Sequence, residues 1–172
     1  MIPVQIRCES SEVRPAIREV VRAAFGSADG PEVPVEVPLT DALFNDVGYL
    51  SGLSLVGVVD DRVVGFVIGT RGWVGRHPAV GIGPLAVHPD MQGRGVGSAL
   101  MNALIDSARE QGETLLALLG DPDYYDRFGF REAANLGVGS PDPDWGRHFQ
   151  TLSITADAPT GTFRYAAPFD EL

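Results

Sequence analysis

The residues best suited to chemistry lie in one stretch, Gly81 to Met101. It opens as an apolar run among glycines, Gly81-Ile82-Gly83-Pro84-Leu85-Ala86-Val87, which reads as a buried strand. A polar break, His88-Pro89-Asp90, leads to Gln92-Gly93-Arg94-Gly95-Val96-Gly97-Ser98. From there Val96, Leu100, Ala103 and Leu104 recur at helical spacing, and Gly112 stands where a helix C-terminus takes a glycine. Strand, glycine loop and helix N-terminus together make an anion site. Glycines let the backbone approach a ligand, and the unpaired N–H groups at the positive end of the helix favour phosphate. Downstream stand two adjacent phenols, Tyr124 and Tyr125, of a type that can hand a proton to a leaving group of similar basicity.

Three readings of the glycines compete. A Walker A loop is excluded, because Gly97 is followed by Ser98 with no lysine. A dinucleotide fingerprint fits in part: Gly93 and Gly95 match, Ser98 stands where Gly or Ala belongs, and Asp121 imitates the ribose-binding acid. A tight turn packed with small residues is the third.

The pattern Gln92-x-x-Gly95-x-Gly97 resembles the pyrophosphate loop of the GNAT superfamily of acyl-CoA-dependent N-acyltransferases. Tyr124-Tyr125-Asp126-Arg127-Phe128-Gly129-Phe130 resembles that family's late helix, and Thr114 to Asp121 falls where it has its fifth strand. Gly83-Pro84-Leu85-Ala86-Val87 and Gly120-Asp121-Pro122 look like a bacterial branch of predicted N-acetyltransferases within it. The motifs span residues 81 to 134, and family-like order extends from about residue 4 to the end.

The resemblance implies a fold and a site. The fold is α/β, a central mixed sheet with helices on both faces and a bulged fourth strand, as one domain over residues 1–172. Pro84 fits the bulge, because proline removes a ladder donor and is otherwise excluded from a central strand. The cofactor is acetyl-CoA, with no metal. Leu85, Ala86 and Val87 would pair with the pantetheine arm; Gln92, Gly93, Arg94, Gly95, Val96, Gly97 and Ser98 would hold the pyrophosphate. A backbone N–H at or near Val87 is the candidate oxyanion donor. Tyr125, four residues before Gly129, takes the position of the family's thiolate-protonating tyrosine. Many relatives carry a glutamate base on the fourth strand; the matching position here is Gly81, which cannot ionise, so no base is assigned. Glu36, Asp41, Phe44, Asp46 and Tyr49 fall in the early helical region that lines the family's acceptor pocket. The acceptor is thus an amine of a small molecule or peptide, and a homodimer is an arrangement common in the family. A non-catalytic acyl-CoA-binding sensor is the rival from another class.

Composition bounds the rest. An apolar content of 44% is that of a soluble globular chain, and no apolar run is long enough for a membrane helix. The formal charge of −10 argues against nucleic acid; it fits solubility first and a cationic acceptor second. Cys8, the single cysteine, excludes an internal disulfide and is expected to pack in a strand. No leader is legible at Met1-Ile2-Pro3-Val4-Gln5, so the cytoplasm is the expected compartment.

The positioning elements are expected in the order β-α-α-β-β-β-α-β-α-β-β. A strand at 3–9 precedes a helix at 12–25, capped by Ser10 or Ser11, with Pro15 in its first turn. Pro31, Pro34 and Pro38 predict a loop from 26 to 38, and a short helix follows over 39–50. A hairpin, 53–59 and 63–70, turns at Asp60-Asp61-Arg62. Residues 71–79 read as a loop in which Trp73 closes a core edge rather than walling a pocket, and His77 is exposed. His88 reads as turn chemistry. In the tail, strands are expected at 131–136, 149–154 and 162–166, with a proline-rich loop containing Trp145 between the first two.

Overall fold

A computed structural model describes residues 3–172. Met1 and Ile2, part of the N-terminal reading, lie outside the described residues. The chain opens with β1 (Gln5–Cys8), a short 3-10 turn, and α1 (Arg14–Phe25). Neither Ser10 nor Ser11 accepts a capping hydrogen bond on its side chain; Pro15 sits in the first helical turn, where its missing N–H costs nothing. Cys8 is exposed on β1 rather than packed, because β1 is an edge strand with one open side.

α2 (Glu36–Phe44) begins inside the expected loop and ends before the expected helix end. Pro38 is its third residue, again in the first turn, so a proline that reads as a breaker is compatible with a helix start. Tyr49 and Leu50 already belong to β2 (Tyr49–Val59). β2 turns through Asp60 and Asp61, both at positive φ (50° and 62°), into β3 (Arg62–Val74). β3 and β4 (His77–Val87) form a longer hairpin than expected: the stretch from Arg71 to Ala79 is paired strand, closed by a turn at Gly75-Arg76. Glycine at 72 reads as loop but serves close packing, since a Cβ there would lie 2.6 Å from the Phe163 ring and 2.8 Å from the Arg164 carbonyl.

α3 (Val96–Glu110) and β5 (Leu115–Leu119) follow, then the short α4 (Pro122–Tyr125). The tail adds β6 (Arg131–Glu132), β7 (Val138–Gly139), β8 (Phe149–Ser153) and β9 (Gly161–Arg164). The expected strand over 131–136 is strand only at its first two residues; Ala133–Leu136 turn as 3-10 helix into Gly137, at φ 78°. The mixed sheet runs β1-β2-β3-β4-β5-β8-β6, with β9 against the far end of β3 and, in parallel, against β7. Among the described residues no helix is long and apolar enough to cross a membrane.

Helices cover both faces. Val96, Leu100, Met101 and Leu104 of α3 pack on Leu53, Leu55, Val67 and Val80. On the opposite face Ile17, Val20 and Val21 of α1 and Leu43 and Phe44 of α2 pack on Val56, Val58, Phe66 and Ile68. Leu100 is fully buried between α3 and the sheet. Leu100→Ala should therefore lower unfolding free energy by about 2–5 kcal/mol in urea denaturation. A loss below about 1 kcal/mol would mean that α3 is not held by this seam.

Candidate active site

The site begins where β4 stops behaving as a sheet strand. Opposite Gly69 stands Ile82 and opposite Val67 stands Leu85, so Gly83 and Pro84 oppose Ile68 alone. That is a bulge with one extra residue on β4. On its other side β4 pairs with β5 only through Val80–Leu116 and Gly81–Ala117. Past the bulge this edge of β4 is open.

The open edge has a defined chemistry. The His88 N–H donates to the Val64 carbonyl at 2.8 Å, so His88 and, by alternation, Ala86 spend their backbone groups on β3. Leu85 and Val87 turn theirs to the cleft. The Val87 carbonyl there accepts from the Gln92 side-chain amide at 3.1 Å. Of the three residues expected along the pantetheine arm, Leu85 and Val87 line the cleft; Ala86 does not, its side chain being buried between sheet and helices.

Two cavities meet along this edge, sharing Leu85 and Phe25. The smaller, about 520 Å³, is walled by the loop after β4: Gln92, Gly93, Gly95, Val96, Gly97 and Ser98. Gly93 and Gly95 have φ of 74° and 88°, conformations that favour glycine. The first backbone bond of α3 runs from the Ala99 N–H to the Gly95 carbonyl. The N–H groups of Val96, Gly97 and Ser98 therefore have no helical acceptor, as at any helix start. Gly97 is needed for fit, since a Cβ there would lie 2.6 Å from the Tyr124 hydroxyl. Arg94 is exposed and does not line this cavity. The cation that does is Arg127, which sequence reading passed over. Its guanidinium lies 4.5 Å over the Tyr124 ring and donates to the Tyr124 carbonyl at 2.8 Å. His88 does what its place before Pro89 suggests, accepting the Asp90 N–H at 3.2 Å.

The larger cavity, about 830 Å³, continues past Leu85 between the bulge, α2 and the tail. Tyr125 lines it. Asp121 accepts the Asp123 N–H at 2.9 Å and starts α4, which points the neighbouring phenols to different sides: Tyr124 to the loop cavity, Tyr125 to the larger one. Their rings are edge-on, 4.9 Å apart. Burial first, then the charges of Tyr124 and Asp121, push the Tyr125 phenol up to about 12.

Of the acceptor-side residues expected from sequence, Glu36 and Asp46 line this cavity. Asp41, Phe44 and Tyr49 do not. Asp41 pairs outward with Arg18 at 2.7 Å. Phe44 is core, and Tyr49 hydrogen-bonds Glu9 beneath it. Trp73, expected at a core edge, walls the cavity and is 37% exposed. Tyr165, Phe169 and Trp145 from the tail complete the wall, and no local motif announced them.

Residues 15–130 match the model of the acetyltransferase (GNAT) family. The chain belongs to that family. It is 33% identical over 162 residues to the Escherichia coli N-acetyltransferase YjhQ, covering 88% of this chain and 86% of that one. The structure of E. coli YhbS, a GNAT family N-acetyltransferase in complex with CoA, superposes with a TM-score of 0.88 at 30% identity, over 99% of this chain and 93% of that one. A GNAT acetyltransferase from Brucella melitensis in complex with acetyl-CoA superposes with a TM-score of 0.79 at 31% identity, over 99% and 100% of the two chains.

Within this GNAT fold, Gly81 has a local physical reason. A Cβ at 81 would lie 2.5 Å from the Tyr165 ring, so the aromatic ring of β9's extension fills the space of a side chain on β4. Tyr165 in turn packs on Phe163 at 4.9 Å and Phe169 at 4.5 Å, and burial pushes its phenol upward. Gly81→Ala should cost about 1–3 kcal/mol by overpacking, and in a Tyr165→Ala background should cost little or stabilise. Equal cost in both backgrounds, read by urea denaturation, would break the assigned contact.

The phenols also fix an alkaline limit. Tyr49 and Tyr125 are both raised to about 12, mainly by burial, and Tyr165 is raised as well. Their unfolded values are near 10, so the unfolded chain sheds these protons first as pH rises. Stability linked to them is complete below about pH 10 and falls as pH climbs toward 12. Urea midpoints should hold from about pH 8 to 9.5 and drop by pH 11, while phenolate absorbance lags that of free tyrosine. Midpoints that rise above pH 10 would contradict the burial of these rings.

Proposed function

We propose that this chain transfers an acetyl group from acetyl-CoA to a primary amine. What supports this reading most is the continuity of the two cavities along the unpaired edge of β4, with a glycine-rich helix N-terminus at one end and a buried phenol at the other. YhbS with CoA and the Brucella acetyltransferase with acetyl-CoA are similar along nearly the whole chain.

On this reading acetyl-CoA supplies an activated acyl group as a thioester. Gln92 to Ser98 hold its pyrophosphate with the free N–H groups of α3, and Arg127 rather than Arg94 adds the nearby positive charge. Leu85 and Val87 offer strand-like hydrogen bonds to the amide-bearing arm. The Val87 N–H is the donor available to the carbonyl oxygen as it gains charge. The neutral amine nitrogen bonds to the acyl carbon and releases one proton to solvent, the carbon–sulfur bond breaks, and Tyr125 donates its proton to the departing sulfur and recovers one from solvent.

The acidity of Tyr125 decides whether this last step is affordable. A thiol near 8.5 and a phenol near 12 differ by ~3.5 units, an uphill transfer of about 5 kcal/mol in the empty cleft. The desolvation that raises the phenol raises a thiolate leaving into the same cleft, so the gap narrows when both are there. Tyr125 also stays protonated through the neutral range, as a proton donor must.

Calorimetric titration should show acetyl-CoA and CoA binding and NADH not binding. Gly95→Glu, which puts a negative charge and a side chain at φ 88°, should abolish binding. Tyr125→Phe should lower kcat by about 10²-fold, with acetyl-CoA affinity within about twofold of the parent. NADH binding alone, or full turnover without the phenol, would defeat the proposal. Intact CoA binding with no transfer to any amine would leave the sensor reading.

A further inference from the structure

Of the eight large apolar side chains that are exposed among the described residues, five gather in one place: Phe25, Val47, Trp73, Leu119 and Leu172 are 39%, 104%, 37%, 45% and 67% exposed and line the larger cavity, whereas Val33, Val35 and Leu136 do not. Exposed apolar surface gathered in one concavity marks a place where an apolar ligand or partner is received. At about 830 Å³ the space is of the size that holds a small organic molecule.

Charge on the walls is one-sided. Glu36, Asp46, Asp142 and Asp170 face the cavity against Arg71 and Arg164. Arg71 is already spent: it makes a bidentate pair with Glu113 at 2.7 and 2.8 Å and donates to the Ala79 carbonyl at 2.9 Å. Arg164 is exposed. The phenols of Tyr125 and Tyr165 are pushed up and stay neutral across the physiological range. Among the acids, Asp46 accepts the Gly48 N–H at 2.7 Å and Asp142 accepts the Asp144 N–H at 2.9 Å. Glu36 differs. One of its carboxylate oxygens is sealed from solvent and has no partner among the described residues. A carboxylate stripped of water on one side and unpaired by protein gains more from a cationic donor than a solvated one does.

We propose that the larger cavity takes a hydrophobic monoamine as the acceptor, its ammonium on the Glu36 carboxylate and its apolar body against Trp73, Trp145 and Phe169. Calling this ligand the acceptor rests on the acetyltransferase reading; its binding does not. An anionic ligand meets four acids against Arg164, with Arg71 already spent on Glu113. A strongly polar one leaves the indole and phenyl walls unsatisfied. Glu36 is then the residue that selects amines, and it lies on α2, a different wall from the β4 position that Tyr165 closes.

The chain's two tryptophans, Trp73 and Trp145, both line the cavity, so their emission reports its occupation directly. Titration of the whole protein with hexylamine, hexanol and hexanoate separates charge from apolar body. Hexylamine should give a saturable emission change at least about tenfold tighter than hexanol, with hexanoate weakest. Glu36→Gln should bring hexylamine to the level of hexanol while leaving hexanol itself unchanged. With acetyl-CoA present, hexylamine should be acetylated with kcat/KM at least about tenfold above that of 6-aminohexanoate. The proposal is overturned if hexanol or hexanoate binds the parent as tightly as hexylamine, if no titration saturates, or if Glu36→Gln leaves hexylamine binding intact. The parent comparison stands even where the variant fails to fold. Calorimetry with acetyl-CoA on the same preparation keeps the two readings apart. Acetyl-CoA binding without hexylamine binding removes the acceptor proposal alone. Hexylamine binding at Glu36 without acetyl-CoA binding removes the transferase reading and leaves an amine site.

Discussion

Everything at the site depends on a strand that pairs fully on one edge and briefly on the other. β4 keeps β3 along almost its whole length but meets β5 through two residue pairs. A central strand that gives up a ladder leaves N–H and C=O groups inside the molecule, normally a heavy penalty. Here the gap is partly closed by the chain itself, through the Gln92 amide on the Val87 carbonyl. The same contact ties the glycine loop to the end of the strand. One bulge thus opens the cleft, leaves groups of Leu85 and Val87 free within it, and sets where α3 begins. The cores above and below, α3 on one face and α1 with α2 on the other, hold β3 and thereby hold the register from which β4 departs.

The site was legible in the sequence where its cause was local. Positive φ at Gly93, Gly95 and Gly129 and the bulge at Pro84 follow from what a few neighbouring residues can adopt, and the motifs display them. What was not legible came from distance. Arg71 to Ala79 carries two glycines and a proline in sequence terms that mean loop, yet it is strand because Trp73 and Val74 pair with Arg164 and Phe163 of β9. Pro38 hid the start of α2, because a proline in a first turn and a proline in a loop look alike without the packing of Leu39 and Leu43. Arg94 stood in the motif and was named; Arg127 reaches the cavity only because α4 turns it across Tyr124. Trp73 lies far along the chain from Tyr165 and Phe169, and the fold alone brings it to them.

The tail does more than finish the sheet. β9 crosses the far end of β3, and the residues after it lay Tyr165 over Gly81 and Phe169 over Tyr165. Phe149, Phe163 and Trp145 back this layer in a third core. An aromatic wall built this way is rigid, because each ring is fixed by another at 4.5–6.3 Å. It also excludes charge: any ionising side chain at 81 would displace Tyr165 and expose the layer behind it.

That exclusion moves the acid–base question to the opposite side of the cleft. With β4 carrying a glycine under a phenol that stays neutral, the carboxylates facing the cavity come from α2, the turn after it, and the tail. Those of Asp46 and Asp142 are engaged by backbone N–H groups. Glu36 instead keeps a carboxylate oxygen with no partner among the described residues. A bulge on one wall and an unpaired carboxylate on the other are thus complementary consequences of one arrangement. Aromatic packing claims the strand, and polar chemistry is left to the helix that faces it.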